Sequence, residues 1–217
     1  MSRLDKLQPL LAILEENKNT ARSLGLDMMK VDGGTMYPVD LVALAAIKRV
    51  LSTSAAFRQL IEALNLISAR AILRVHLDTV LRFYAVWCVD SPHDFAKKVI
   101  DGEQINHLKD RTGNKMTDSY LAKVLSKDHK WIPIVYSNLC GYVHLSSQHL
   151  FASVAKLDRE GLNVSLQISE YDLNAPEFSW IEVVECFNET TKIFLNYLSG
   201  WVYTKTVRGV QGERSEH

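Results

Sequence analysis

Reactive side chains gather in two short stretches of the chain. The run LISARAILRVHLDTVLRFYAVW is apolar nearly all round once Arg70, Arg74, His76, Asp78 and Arg82 are set aside. Four of these, Arg70, Arg74, Asp78 and Arg82, recur at four-residue steps. On a helix that spacing builds a ridge drifting by about 40° per step, so the guanidiniums and the carboxylate share one face. His76 lies about 200° round the wheel from Arg74 and reads as a core or edge histidine. The second stretch, WIPIVYSNLCGYVHLSSQHLF, places His144 one turn after Cys140, with Ser146 close behind.

Charges on an apolar helix are costly unless paired. Two arrangements would meet that cost on the arginine ridge. In one, Arg74 pairs with Asp78, and Arg70 and Arg82 reach the surface near the helix ends. In the other, the ridge lines a polar cleft where arginine grips a phosphate and Asp78 fixes the guanidinium.

His144 admits several roles. A Cys140–His144 nucleophile pair is geometrically possible, though a pair four residues apart on one helix usually lacks oxyanion donors and a third orienting group. Cys140, His144 and His149 match no dependable metal-ligand spacing, so no metal or cofactor is expected. What remains is acid–base work on an arginine-bound phosphate, for which imidazole suits neutral pH, or a structural hydrogen bond at a helix end.

The elements that must position these groups are helical. Leu4, Leu7, Leu11 and Leu14 form one apolar stripe on a first helix, and residues 26 to 37, with Gly33 and Gly34, read as a loop. From Val39 to Asp90 there is neither proline nor glycine. One helix over that span would be about 75 Å long, so a break is expected, placed here at Ser52-Thr53-Ser54. The long central helix then covers residues 54 to 89. Ser91, Pro92 and Asp94 start another helix, which ends near Asp101-Gly102. Residues 107 to 116 are polar and expected to be exposed. A further helix starts at Thr117 or Asp118, and the next carries Pro133 in its first turn. Leu162, Val164, Leu166 and Ile168 alternate with polar residues as in a half-buried strand; LFASVAK pairs with it across the DREG turn, giving a hairpin at about 149 to 169. Asn174 is expected to cap a last long helix, with Glu177 at its third position. Phe178, Ile181, Val184, Phe187, Phe194, Tyr197, Leu198 and Trp201 supply that helix's apolar face.

The predicted architecture is therefore all-α: one helical-bundle domain over residues 1 to 208 with a small β-hairpin insertion before the C-terminal helix, then a disordered tail over 209 to 217. The 217 residues, 47 % apolar and 23 % charged with zero formal net charge, suffice for a core without staples and show no bulk attraction to nucleic acid. The N-terminus is amphipathic rather than a signal peptide, and no stretch reaches the roughly 20 apolar residues of a membrane span. Cys88, Cys140 and Cys186, odd in number and far apart, suggest free thiols and a cytoplasmic protein with no membrane partner.

With these residues in view, the chain resembles the HEPN-like helical proteins, in particular a bacterial branch related to abortive-infection proteins. ARAILRVHLDTVLRFY is similar to that branch's central helix, in which an acid follows an arginine by four residues, as Asp78 follows Arg74. YSNLCGYVHLS is similar to its second signature, a tyrosine-led helix ending in a small residue, valine, histidine and serine, met by Tyr136, Gly141, Val143, His144 and Ser146. The resemblance covers residues 60 to 90 and 131 to 150. It implies a helical bundle, often a homodimer, and in active members a toxin-like or phage-defence ribonuclease that cleaves RNA without metal. Active members carry an arginine and a histidine a few residues apart at the end of one helix; here Ser137, Asn138 and Leu139 stand where the arginine would.

The implied chemistry then draws its cation from the neighbouring helix. His144 would take the 2′-hydroxyl proton, Arg74 or Arg70 would stabilise the phosphorane, Asp78 would hold the guanidinium, and Asn138, Tyr136 and Ser146 would serve as binding groups. All of this needs His144 to face the arginine ridge across one crevice. The competing expectation is a non-catalytic helical module, whose polar residues form a buried network and whose surface binds a partner protein. Trp180 and Trp201 fit a dimer face or the core equally well.

Overall fold

Leu7, Leu11 and Leu14 are fully buried along α1, Arg3–Lys30, as the leucine stripe requires. The computed structural model describes residues 3–158, 163–166 and 168–215. The helices that follow are α2, Pro38–Glu62; α3, Leu66–Tyr84; α4, Pro92–Ile100; α5, Asp118–Leu125; α6, Ile132–Val143; α7, Ser147–Ala152; and α8, Glu177–Ser215. Strands β1, Val154–Asp158, and β2, Asn163–Leu166, pair antiparallel between α7 and α8. The protein is an all-α helical bundle carrying one small hairpin. α8 lies along α1 and α3, α2 packs on α3, and α6 and α5 close over the other side of α3. Among the described residues no helix is long and apolar enough to cross a membrane.

Where the sequence carries strong punctuation, structure and expectation coincide. Pro92 and Pro133 begin α4 and α6, the Thr117 hydroxyl accepts from the Tyr120 N–H at the start of α5, and Gly102 (φ 97°) follows the end of α4. Trp180 and Trp201 belong to the core, at 0 % and 5 % exposure, and so form no dimer face.

Several boundaries differ. The break does not fall at Ser52-Thr53-Ser54, because those hydroxyls are satisfied inside α2: Thr53 donates to the Arg49 carbonyl and Ser54 to the Val50 carbonyl. It falls at Ala63-Leu64-Asn65, where Leu64 adopts φ 56°, Asn65 N–H reaches back to Leu60 O, and Leu64 N–H to Ile61 O. This is a Schellman closure with leucine in the place glycine usually takes. Asn65 Oδ1 then accepts from the Ser68 N–H to start α3, so the central helix begins at 66 rather than 54.

α1 continues through Lys30 into the stretch read as a loop. Leu108 and Met116, at the ends of the polar segment, are buried and joined by a Met116 N–H to Leu108 O hydrogen bond. Leu150 and Ala152, expected in the first strand of the hairpin, belong to α7. Leu166 and Ile168 face solvent, so that edge of the hairpin is not half-buried. Leu162 and the turn residues 159–161 lie outside the described residues. Asn174 does not cap α8, which starts at Glu177, where that carboxylate pairs with Lys6 at 2.7 Å. Phe178 is exposed rather than part of the apolar face. The helical backbone runs through Ser215, across most of the expected disordered tail; Glu216 and His217 lie outside the described residues.

Two buried polar networks lock the bundle. Lys205 of α8, wholly buried, donates to the Asp40 carboxylate (2.9 Å) and the Met28 carbonyl (2.8 Å), while Trp201 Nε1 donates to the other Asp40 oxygen at 2.7 Å. Asp40 also accepts from the Tyr37 N–H, closing the start of α2. His76 spans the core between Thr53 of α2 (2.8 Å) and Thr191 of α8 (3.0 Å), its ring stacked on Phe187 at 4.0 Å. Burial lowers its pKa to about 3, so the ring is neutral. A neutral ring has one N–H, so it donates to one threonine and accepts from the other.

Candidate functional site

The α3 ridge splits into three separate environments. Arg74 is 8 % exposed, forms an ion pair with Asp78, and lies with its guanidinium 4.0 Å from the centre of the Tyr136 ring. Burial raises the Tyr136 pKa against the lowering effect of Arg74, so the phenol stays neutral beneath the cation. Arg82, about two turns beyond Arg74, reaches Asp118 of α5 with two N–H donors at 3.0 and 2.9 Å; the hydrogen bond to that carboxylate raises the arginine's pKa. Both arginines are thereby neutralised by acids.

Arg70 differs. It is half-buried, lies 4.7 Å from the Tyr142 ring centre, and donates to the Tyr142 hydroxyl. No carboxylate among the described residues forms an ion pair with it. It lines two neighbouring clefts, of about 300 and 250 Å³, which share Arg70, Tyr142 and Gln148. The larger is bounded by α3, α7 and the approach to α8, with His149, Ser153, Ser169, Tyr171 and Asp172 on its wall, the Asp172 carboxylate accepting from the Ile67 N–H at 2.9 Å. The smaller lies between α3, α6 and α8.

The end of α6 explains which histidine reaches the cleft. His144 is the capping residue after α6, with extended backbone (φ −111°, ψ 145°), and is exposed. Its ring makes no hydrogen bond or ring contact among the described residues and lines neither cleft. The chain then turns back. Ser146 Oγ donates to the Gly141 carbonyl at 2.7 Å and accepts from the Gln148 N–H at 3.2 Å, which starts α7. A side chain on Gly141 would meet Gln148 Cγ at 2.8 Å and Ser146 Oγ at 3.1 Å, so glycine is what lets α7 fold against α6. That fold brings His149 to 6.0 Å from Tyr142 and into the wall of the larger cleft. Its Nδ1 accepts from the Ser146 N–H at 3.3 Å, leaving the neutral ring with its hydrogen on Nε2.

The predicted site is thus divided. Arg74, Asp78 and Tyr136 come together, the first two as an ion pair and the third with its ring against the guanidinium. Arg70 and Asn138 share the smaller cleft. Ser146 holds a corner instead of facing a ligand. His144 lines neither of the two clefts that Arg70 lines, the chain turning back at residues 144 to 146. No hydrogen bond joins the Cys140 thiol to the His144 ring, and among the described residues no group of three His, Cys, Asp or Glu side chains is placed to hold a metal. Sequence reasoning missed Tyr142 and Gln148 as cleft residues and weighed His149 only as a metal ligand. The signal for Tyr142 was its place one turn beyond Asn138 on the same helix. Comparison with protein-family models, curated proteins and solved structures finds no match for this chain.

Proposed function

We propose that the protein binds a phosphate-bearing ligand in the cleft lined by Arg70, Tyr142 and His149. One observation carries this reading: Arg70 is a half-buried cation on a cleft wall with no acidic partner among the described residues, while Arg74 and Arg82 on the same helix each have one. A partly desolvated guanidinium without a counter-charge is poorly stabilised until an anion arrives, and its donors suit phosphate oxygens. His149 adds an Nε2–H, so arginine and histidine both offer donors. Preassembled donors of this kind favour binding.

The second reading, favoured by the same Arg70–His149 pairing on one wall, is that the ligand is RNA and is cleaved without metal, as the HEPN-like resemblance implies. Here Arg70 takes the cationic role and His149 replaces His144. To act as a base, His149 must give up the hydrogen bond its Nδ1 accepts, so catalysis in this geometry requires the α7 corner to rearrange. Arg74, Asp78 and Tyr136 are structural in both readings.

Purified protein incubated with total RNA in excess EDTA separates the two, with binding followed by filter retention. Binding without cleavage, lost in Arg70→Met and retained in His144→Ala, supports the module. Cleavage lost in both Arg70→Met and His149→Ala supports the ribonuclease. Activity that depends on His144 and is indifferent to Arg70 defeats both assignments to the cleft.

A further inference from the structure

The smaller cleft has a chemistry of its own. Its walls, Leu73, Val135, Leu139 and Val183, are apolar, and its polar groups besides Arg70 include Asn138 of α6 and Glu182 of α8. Asn138 and Glu182 are exposed at the rim, and neither is hydrogen-bonded to another described residue. Each cleft lies at or below the lower end of the roughly 300–1,000 Å³ typical of ligand pockets, whereas the two together fall well inside it. One ligand spanning both clefts would meet the Arg70 charge where they join and apolar walls on the α6–α8 side.

A carboxylate is a poor neighbour for a phosphate alone, because like charges repel. Glu182 therefore points to a group offering donors. An ionised carboxylate only accepts, and two adjacent N–H donors match its two oxygens. Among the nucleobases, guanine shows two such donors side by side, at N1 and the exocyclic N2. Adenine and cytosine set a donor beside a ring acceptor, and uracil flanks one donor with two acceptors. The Asn138 amide can donate to the guanine O6. We infer that the cleft between α3, α6 and α8 is a guanine pocket, the base lying between the apolar walls with its phosphate on Arg70. This inference rests on the phosphate-binding reading above.

Calorimetric titration with 5′-GMP, 5′-AMP, 5′-UMP and inorganic phosphate tests it on the wild type, Glu182→Gln and Arg70→Met. Glu182 is exposed, so its variant leaves the core intact. The pocket predicts that GMP binds about tenfold more tightly than AMP or UMP, the hydrogen-bonded edge being the only difference the rim reads. Glu182→Gln should lower GMP affinity while raising that for AMP, since a repulsive charge is lost, and Arg70→Met should weaken every ligand. A guanosine-containing trinucleotide run alongside GMP distinguishes the source: tighter binding of the trinucleotide identifies an RNA strand, the reverse a free nucleotide, and either order with a guanine preference supports the pocket. Equal binding of the three nucleotides overturns the guanine assignment and leaves the Arg70 phosphate site standing. Failure of every ligand to bind, phosphate included, overturns both.

Discussion

Lowering the pH from 7 to 5 should destabilise the protein through His76 alone by about 2 kcal/mol. The ring is fully buried between Thr53 and Thr191, and burial lowers its pKa from 6.5 to about 3. Between those values the unfolded chain holds a proton that the folded chain excludes. Stability from this residue is therefore complete above pH 6.5 and declines as the pH falls toward 3. The slope approaches about 1.4 kcal/mol per pH unit once the unfolded ring is mostly charged, which gives the figure at pH 5. Urea unfolding followed by circular dichroism at pH 7, 6 and 5 measures it, with His76→Gln as reference. Glutamine keeps a donor and an acceptor for the threonines and does not titrate, so the six other histidines and the carboxylates cancel in the difference. Should glutamine fail to support the fold, the imidazole NMR signals of the wild type give a second measure, remaining those of a neutral ring down to pH 5. Equal pH slopes in wild type and variant, or a His76 titration between pH 6 and 7, would refute the reasoning.

The remaining predictions concern the locks of the bundle and the α7 corner. Lys205→Ala leaves Asp40 buried without its cation and should cost about 3–5 kcal/mol in urea unfolding; a loss below about 1 kcal/mol would mean that water reaches the carboxylate. Gly141→Ala gains about 1 kcal/mol of helix propensity against an overpacking cost of about 1–3 kcal/mol where its Cβ meets Gln148, so thermal unfolding should show a small net loss, and the displaced α7 should weaken ligand binding. A gain in stability would show that α7 does not pack there. The Cys186 thiol, half-buried on the wall of the smaller cleft and pushed up to about 12 by desolvation, should react far more slowly with iodoacetamide at pH 8 in the folded protein than after unfolding, as read by mass spectrometry; equal rates in the two states would contradict the raised pKa.

The helices were legible wherever a residue's covalent structure dictates local geometry. Pro92, Pro133 and the Thr117 cap each fixed a start within about a residue. The α2–α3 break was not, because Leu64 takes a left-handed conformation that leucine rarely signals, held by a long-range brace: Asp172 donates its N–H to Leu64 O and accepts from Ile67 N–H. Thr53 and Ser54 looked like a cap because their hydroxyls serve caps and mid-helix back-bonds alike.

In the site, the Arg74–Asp78 pair was readable from its four-residue spacing, whereas the Arg82–Asp118 pair joins elements 36 residues apart. The exchange of His144 for His149 turns on one corner. Ser146 ends one helix and opens the next, and sequence periodicity carries no information about the angle between them. The Lys205–Asp40 pair, 165 residues apart, was equally invisible in pattern.

An anion that settles on Arg70 lies beside His149 and away from His144. Imidazole NMR signals, assigned by single substitutions, report both rings in one titration with phosphate or GMP at constant pH and ionic strength. The His149 signals should shift saturably, and the shift should vanish in Arg70→Met, while those of His144 stay fixed. A shift at His144 with none at His149, or a His149 shift that survives Arg70→Met, would contradict it.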